Sequence, residues 1–272
     1  MTNGLTLNNL QSLLEFPFRR PNGTQKLVVG AGLLLLSFAV PIVPGLFVAG
    51  YLKVVARHAI QSGELVLPEW NDWSTLLVDG LKVTGVTLLF LLPAFMAFGL
   101  GYGGMMGTSV AAAIVEDAGP SELTPLMGFL LLGSLAGVAA FGVGMILMLA
   151  ASAILPVALT HMIAKDDFAA AFAFREWGAI LRANLGGFLL GYMLMLGLSF
   201  VLTIAIQILQ LTIVLCCLVP VVIAAYWMYT GTVGSGLFGL IYREGVEKLR
   251  AVPAEVSAPP EVPPAPPAPA LG

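Results

Sequence analysis

Four stretches of this chain carry no charged residue: 27–52, 83–115, 123–164 and 183–242. Between them lie segments rich in polar and aromatic side chains, at 53–82, 116–122 and 165–182. The uncharged runs lack the polar face that a helix on a soluble protein presents to water. About 20 such residues cross the roughly 30 Å hydrocarbon layer of a bilayer as a helix. Run 183–242 is long enough for two spans, turning near 207–212. The first run is interrupted by Pro41-Ile42-Val43-Pro44-Gly45. Proline removes a backbone donor and clashes with the preceding turn, so a sharp bend is expected there. Two short helices in a hairpin, or one kinked helix, fit that pattern.

The flanking segments read differently. In residues 1–26, Leu10, Leu13, Leu14, Phe16 and Phe18 cluster near Arg19, Arg20 and Lys26. That suits a short interfacial segment with its cations toward headgroups, and equally a frayed tail. In the 165–182 region, Ala173, Trp177, Ile180, Leu181 and Asn184 fall at helical spacing. An amphipathic helix is expected, lying in the membrane interface or packed on the bundle. The Pro- and Ala-rich tail cannot bury a core and is expected to be disordered. The expected organisation is an interfacial segment at 1–26, a transmembrane domain at 27–250 and a disordered tail at 251–272.

Composition makes lipid the solvent. Hydrophobic residues make up 58 % of the 272 and charged residues 10 %, where a soluble domain carries about 25 % charge. The net charge of −3 offers no basic surface to a nucleic acid. The two cysteines, Cys216 and Cys217, are adjacent in an apolar run and read as packing residues. No cofactor is implied, and no secretory signal is evident before the first long apolar run near Leu27.

Basic residues predict the topology. The twelve form four groups: Arg19, Arg20 and Lys26; Lys53, Arg57 and Lys82; Lys165, Arg175 and Arg182; Arg243, Lys248 and Arg250. Short cytoplasmic loops concentrate Lys and Arg. All four groups are therefore expected inside, with the turns at 116–122 and 207–212 outside. The fold class that follows is all-α. It is a polytopic transmembrane bundle of about six segments in three hairpins, with cytoplasmic interfacial helices. The expected location is the cell membrane, with both termini cytoplasmic.

A local pattern recurs about a hundred residues apart. His58-Ala59-Ile60 precedes Trp73 and Leu76-Leu77, and His161-Met162-Ile163 precedes Trp177 and Ile180-Leu181. A parallel repeat of this kind would place both polar segments on one side.

The candidate docking residues are Pro68, Glu69, Trp70, Asp72, Trp73 and Trp177. Tryptophan suits the headgroup layer, where its ring is partly buried and its N–H stays wet. Ser74 could cap the following helix, and Asp79 and Lys82 stand three apart, close enough to pair on one helix face. For helix packing, the candidates are the row Gly99, Gly103, Gly107 and the pairs Gly133, Gly137 and Gly187, Gly191. Small residues one turn apart let helix backbones approach in lipid. Ionisable residues inside spans usually mark function, and the uncharged runs offer only His161, near an end. With His58 and Glu64, Asp72 or Asp166 it could form a metal site only if the two halves met. Gly99–Gly104 matches GxGxxG, but it ends an apolar helix instead of following a strand, so it is not read as a dinucleotide site.

The stretch Gly50-Tyr51-Leu52-Lys53, Arg57, Gly63-Glu64, Leu67-Pro68-Glu69-Trp70-Asn71-Asp72-Trp73, Asp79-Gly80-Leu81-Lys82 resembles a prokaryotic membrane family known as domain of unknown function 4013. The layout is similar over roughly residues 10–245, and the motif itself over 50–82. Asn71 stands where the family commonly has an acid. The resemblance implies a helical membrane fold and assigns no reaction, ligand or functional residue. The expected activity is that of a non-catalytic membrane scaffold or assembly partner using its cytoplasmic aromatic loops. The alternative is a transporter or channel-like module for an uncharged or lipidic solute. The expected partners are the lipid bilayer and an unidentified membrane protein or lipid, with no nucleic acid.

Overall fold

The structure is a computed structural model of the chain, and it describes residues 7–19, 22–114, 120–211 and 217–256. Among the described residues all regular structure is helical. In order the helices are α1 (Leu7–Arg19), α2 (Gly23–Leu36), α3 (Val43–Ser62), α4 (Trp73–Ile114) and α5 (Pro120–Lys165), then a 3₁₀ turn (Phe168–Phe172), α6 (Phe174–Ala183), α7 (Leu185–Gln210) and α8 (Val219–Val256). Among the described residues, five are long and apolar enough to cross a membrane: α3, α4, α5, α7 and α8. The sixth apolar segment, α2, has 14 residues, or about 21 Å at 1.5 Å per residue. That falls short of the roughly 30 Å hydrocarbon layer. The polytopic helical bundle is therefore as the hydrophobic pattern requires, with five full-length segments and one short one.

The bend at Pro41–Gly45 separates α2 from α3, as the hairpin reading requires. It is sharp because Ile42 takes a left-handed φ of 77°, and Val43 N–H donates across the turn to Pro41 O at 3.0 Å. A β-branched residue adopts that conformation at a cost of order 1–3 kcal/mol. Pro44 then sits in the first turn of α3, where its missing N–H breaks no helical bond.

The polar segment expected at 53–82 is mostly helix. Residues 53–62 belong to α3 and 73–82 to α4, leaving a connection of only 63–72. Lys53, Arg57, Asp79 and Lys82 therefore lie on helices instead of in a loop. Gly63 closes α3 in the left-handed region at φ 73°. Asp166 does the same after α5 at φ 51°. The two helix ends thus share one conformation at the spacing of the sequence repeat.

Helix α8 anchors the core. Leu13 and Phe16 of α1, Tyr51 and Val55 of α3, Trp177 and Ile180 of α6, and Met228, Leu237 and Ile241 of α8 form one buried cluster. Helix α1 packs against α8, where Tyr229 donates to Leu14 O at 3.1 Å. Of the alternatives for the amphipathic segment, α6 takes the packed one. Helices α3 and α4 touch backbone to backbone: a Cβ on Gly50 would lie 1.9 Å from Leu76 O, and one on Gly80 1.8 Å from Leu46 O. Only glycine permits that approach.

In the α4–α5 hairpin the packing row is not the one expected. Gly99, Gly103 and Gly107 have nothing within 4 Å of a Cβ position. The face toward α5 carries Gly101, whose Cβ would lie 2.7 Å from Phe141 N, and Gly104, at 3.4 Å from Gly137 Cα. At 3.6 residues per turn, Gly101 and Gly104 lie about 160° and about 100° around the helix from Gly103. Gly133 and Gly137 do face α4, against Thr108 and Gly101. Gly191 faces Ile241 of α8, while Gly187 lies under the Asn184 side chain at the start of its own helix. The GxGxxG match sits inside α4, with no strand before it. The acidic turn lies outside the described residues at 115–119. Helix α7 ends at Gln210, within the 207–212 expected for the second turn, and 212–216 lie outside the description. Helix α8 continues to Val256, and 257–272 are likewise outside it.

Candidate functional site

The connection 63–72 packs back along α3 and is pinned there. Tyr51 of α3 donates to Pro68 O at 3.2 Å. Its ring stacks on Trp70 with centroids 4.1 Å apart and planes 7° apart. The Trp70 indole N–H donates to Lys26 O at 3.0 Å. Lys26 in turn donates to Leu67 O at 2.9 Å and pairs with Glu69 at 2.6 Å. Trp70 is thus a half-buried wedge between α2 and α3, with its polar edge used by the chain itself. Trp73 stays 42 % exposed, edge-on to Phe47. Trp177 does not face outward. It is 5 % exposed and donates to Ala171 O at 3.1 Å. Asp72, rather than Ser74, caps α4 by accepting from Thr75 N–H at 3.2 Å. Hydrogen bonds from the Thr75 side chain and backbone hold its carboxyl below the usual range.

A four-charge cluster joins α3, α4 and the turn after α5. Lys53 is 2 % exposed and Asp79 4 %, and they meet at 2.5 Å. Asp166 reaches Lys53 at 3.0 Å and Arg57 at 2.7 Å. The Asp166 carboxyl is held below the usual range, chiefly by the Lys53 hydrogen bond, with the Arg57 and Lys82 charges adding to it. Asp79 Oδ2 is buried and accepts no hydrogen bond; the Arg57 guanidinium stands 3.9 Å away. Asp79 therefore pairs across to α3, not along its own helix to Lys82. Two cations and two carboxylates make the cluster neutral, which is the form in which charge is tolerated at low dielectric.

Composition hid this cluster because each of its charges borders a long uncharged run. One signal was available: Lys53 and Arg57 stand in the otherwise apolar Gly50–Ile60, and Trp73, Leu76, Leu77, Gly80 and Leu81 continue a helical period back through Asp79. Treating those charges as intramembrane would have marked them.

The two histidines go separate ways. His58 Nδ1 lies 2.9 Å from Val54 O in its own helix. His161 is buried, with Nδ1 2.7 Å from the Tyr242 hydroxyl and Nε2 3.2 Å from Glu176. Glu176 also pairs with Lys165, which is the main reason its carboxyl sits below the usual range. Asn184 ties the start of α7 to α8, donating to Ile241 O at 3.0 Å and accepting from Lys248 at 2.7 Å. Among the described residues, no three His, Cys, Asp or Glu side chains gather as a metal site would require.

Apolar helices of spanning length, with polar residues drawn inward into neutral clusters, define an all-α polytopic integral membrane protein. Within that class, the chain belongs to the family described as Protein of unknown function (DUF4013), which matches residues 33–211. The match runs from within α2 to the end of α7 and contains the aromatic connection and all four charges of the cluster. No curated protein and no solved structure matches the chain.

Proposed function

We propose that the protein is a non-catalytic membrane scaffold or assembly partner. The observation that carries this reading is the unequal coverage of its helices. In α3 and α8, 44 % and 50 % of the most apolar stretch is buried within the chain, against 11 % in α4, 11 % in α5 and 6 % in α7. The uncovered face of α4 includes Gly99, Gly103 and Gly107, a row suited to the close approach of another helix in lipid. Trp73 stays exposed at the start of the same helix. Lys53, Asp79, Asp166 and Arg57 are engaged with one another in closing the fold. The orientation that accompanies this reading is a cell-membrane protein with both termini in the cytoplasm.

The transport alternative, for an uncharged or lipidic solute, draws support from the short α2 hairpin. It predicts a polar lining from Thr203, Gln207, Tyr226 and Thr230. Thr203 and Gln207 are exposed on α7, while Thr230 is buried and donates to Tyr226 O at 2.8 Å within its own helix.

Mass spectrometry of protein extracted gently from its native membrane tests the choice, with Trp73→Ala and Gly103→Leu as controls. Neither change touches the charge clusters. A membrane protein recovered with the wild type and lost with either variant is the expected result. The same set of companions in all three samples would remove the scaffold reading. A retained small molecule that the protein moves across vesicles would replace it with transport.

A further inference from the structure

An open cleft of about 400 Å³ lies between the first turn of α2 and the aromatic connection, lined by Asn22, Gln25, Lys26, Val29, Glu69, Trp70 and Asn71. Its chemistry is divided. Lys26 and Glu69 bring opposite charges to one place, and three side-chain amides stand at the rim. Trp70 forms a wall fixed in orientation by the Tyr51 stack and by its bond to Lys26 O.

Donor and acceptor counting shows what remains free. An ammonium has three N–H donors; Lys26 uses one on Leu67 O and one on Glu69, leaving one. Glu69 accepts from Lys26 through Oε1, and its side chain remains 66 % exposed. The site therefore offers one donor to an anion and most of a carboxylate to a cation. Below it, α2 turns Val28, Val29, Leu35 and Leu36 outward. Helix α2 reaches only about 21 Å, less than the roughly 30 Å hydrocarbon depth.

We propose that this cleft binds the zwitterionic headgroup of a phospholipid bearing a primary ammonium, with its acyl chains along the exposed stripe of α2. The phosphate takes the free Lys26 donor. The ammonium donates to Glu69 and to the amide oxygens at the rim. A trimethylammonium group has no N–H to donate, and an anionic glycerol headgroup has no cation for Glu69. The proposal is independent of the scaffold reading.

The test places the full chain in vesicles holding equal parts of phosphatidylethanolamine, phosphatidylcholine and phosphatidylglycerol with identical acyl chains. Lipids retained on release are then weighed by native mass spectrometry. Phosphatidylethanolamine should dominate, and Glu69→Gln should reduce its retention by on the order of tenfold, the loss expected for one charge-assisted hydrogen bond. Glu69→Lys should shift the preference to phosphatidylglycerol; its melting curve checks that it folds. Equal retention of the three lipids, or retention unchanged in Glu69→Gln, would overturn the proposal. So would an equal melting shift from soluble glycerophosphoethanolamine, since acyl chains would then contribute nothing.

Discussion

Removing Lys53 from the charge cluster should destabilise the protein more than removing Asp79, and removing both should restore much of the loss. In Lys53→Met, Asp79 stays buried with its only close partner gone, and the nearest cation is Arg57 at 3.9 Å. An uncompensated buried charge costs about 3–5 kcal/mol. In Asp79→Asn, Lys53 keeps Asp166 at 3.0 Å, a carboxylate largely open to solvent, so the cost falls toward about 2 kcal/mol. Lys53→Met with Asp79→Leu removes both charges at similar volume, and pairs replaced this way are often neutral or better. At roughly 2–4 °C per kcal/mol for a chain of this size, Lys53→Met should melt roughly 10 °C lower. Intrinsic tryptophan fluorescence, scanned at one rate in one detergent, reads the transition. A double mutant as unstable as the sum of the singles would show that the two residues do not act as a pair, and would refute the reasoning.

Other consequences follow from the same geometry. The Asp166 carboxyl is depressed in the folded state by the Lys53 hydrogen bond, so its contribution to stability is fully present above the unfolded value of about 3.9. It is lost as pH falls through the lower folded value, and Asp166→Asn should therefore flatten part of the acid limb of a melting-temperature profile. An unchanged limb would separate Asp166 from the cluster. Gly101→Leu should disrupt the α4–α5 hairpin, lowering the yield of monodisperse protein, whereas Gly103→Leu should leave the melting temperature as it is. The reverse order would mean that α4 is rotated from the position described. A reporter fused near Asp117 should read outside and one near Lys165 inside, and inversion of the pair would reject the orientation inferred from the basic residues.

Hydrophobic run length and charge spacing alone determined that this chain is a multi-span helical membrane protein, since no soluble core could hide so much apolar surface. They also located the bend at Pro41–Gly45, because a proline's lost donor acts locally. They placed the α4–α5 and α7–α8 hairpins, whose spans are long enough to be counted. Tertiary structure alone decided which charges are buried. Lys53 and Arg57 come from α3, Asp79 from α4 and Asp166 from the turn after α5, and a lysine at the edge of an apolar run reads as a loop residue until a carboxylate from another element neutralises it. It also decided the facing of the glycines, because Gly101 and Gly104 stand on a different side of α4 from Gly99, Gly103 and Gly107, and only the partner helix selects between them. Trp70, Trp73 and Trp177 share a preference for interfaces, yet their exposure differs. Trp70 and Trp177 find backbone carbonyls, Lys26 O and Ala171 O, within reach of their indole N–H. Folding creates those acceptor positions, and no local pattern encodes them.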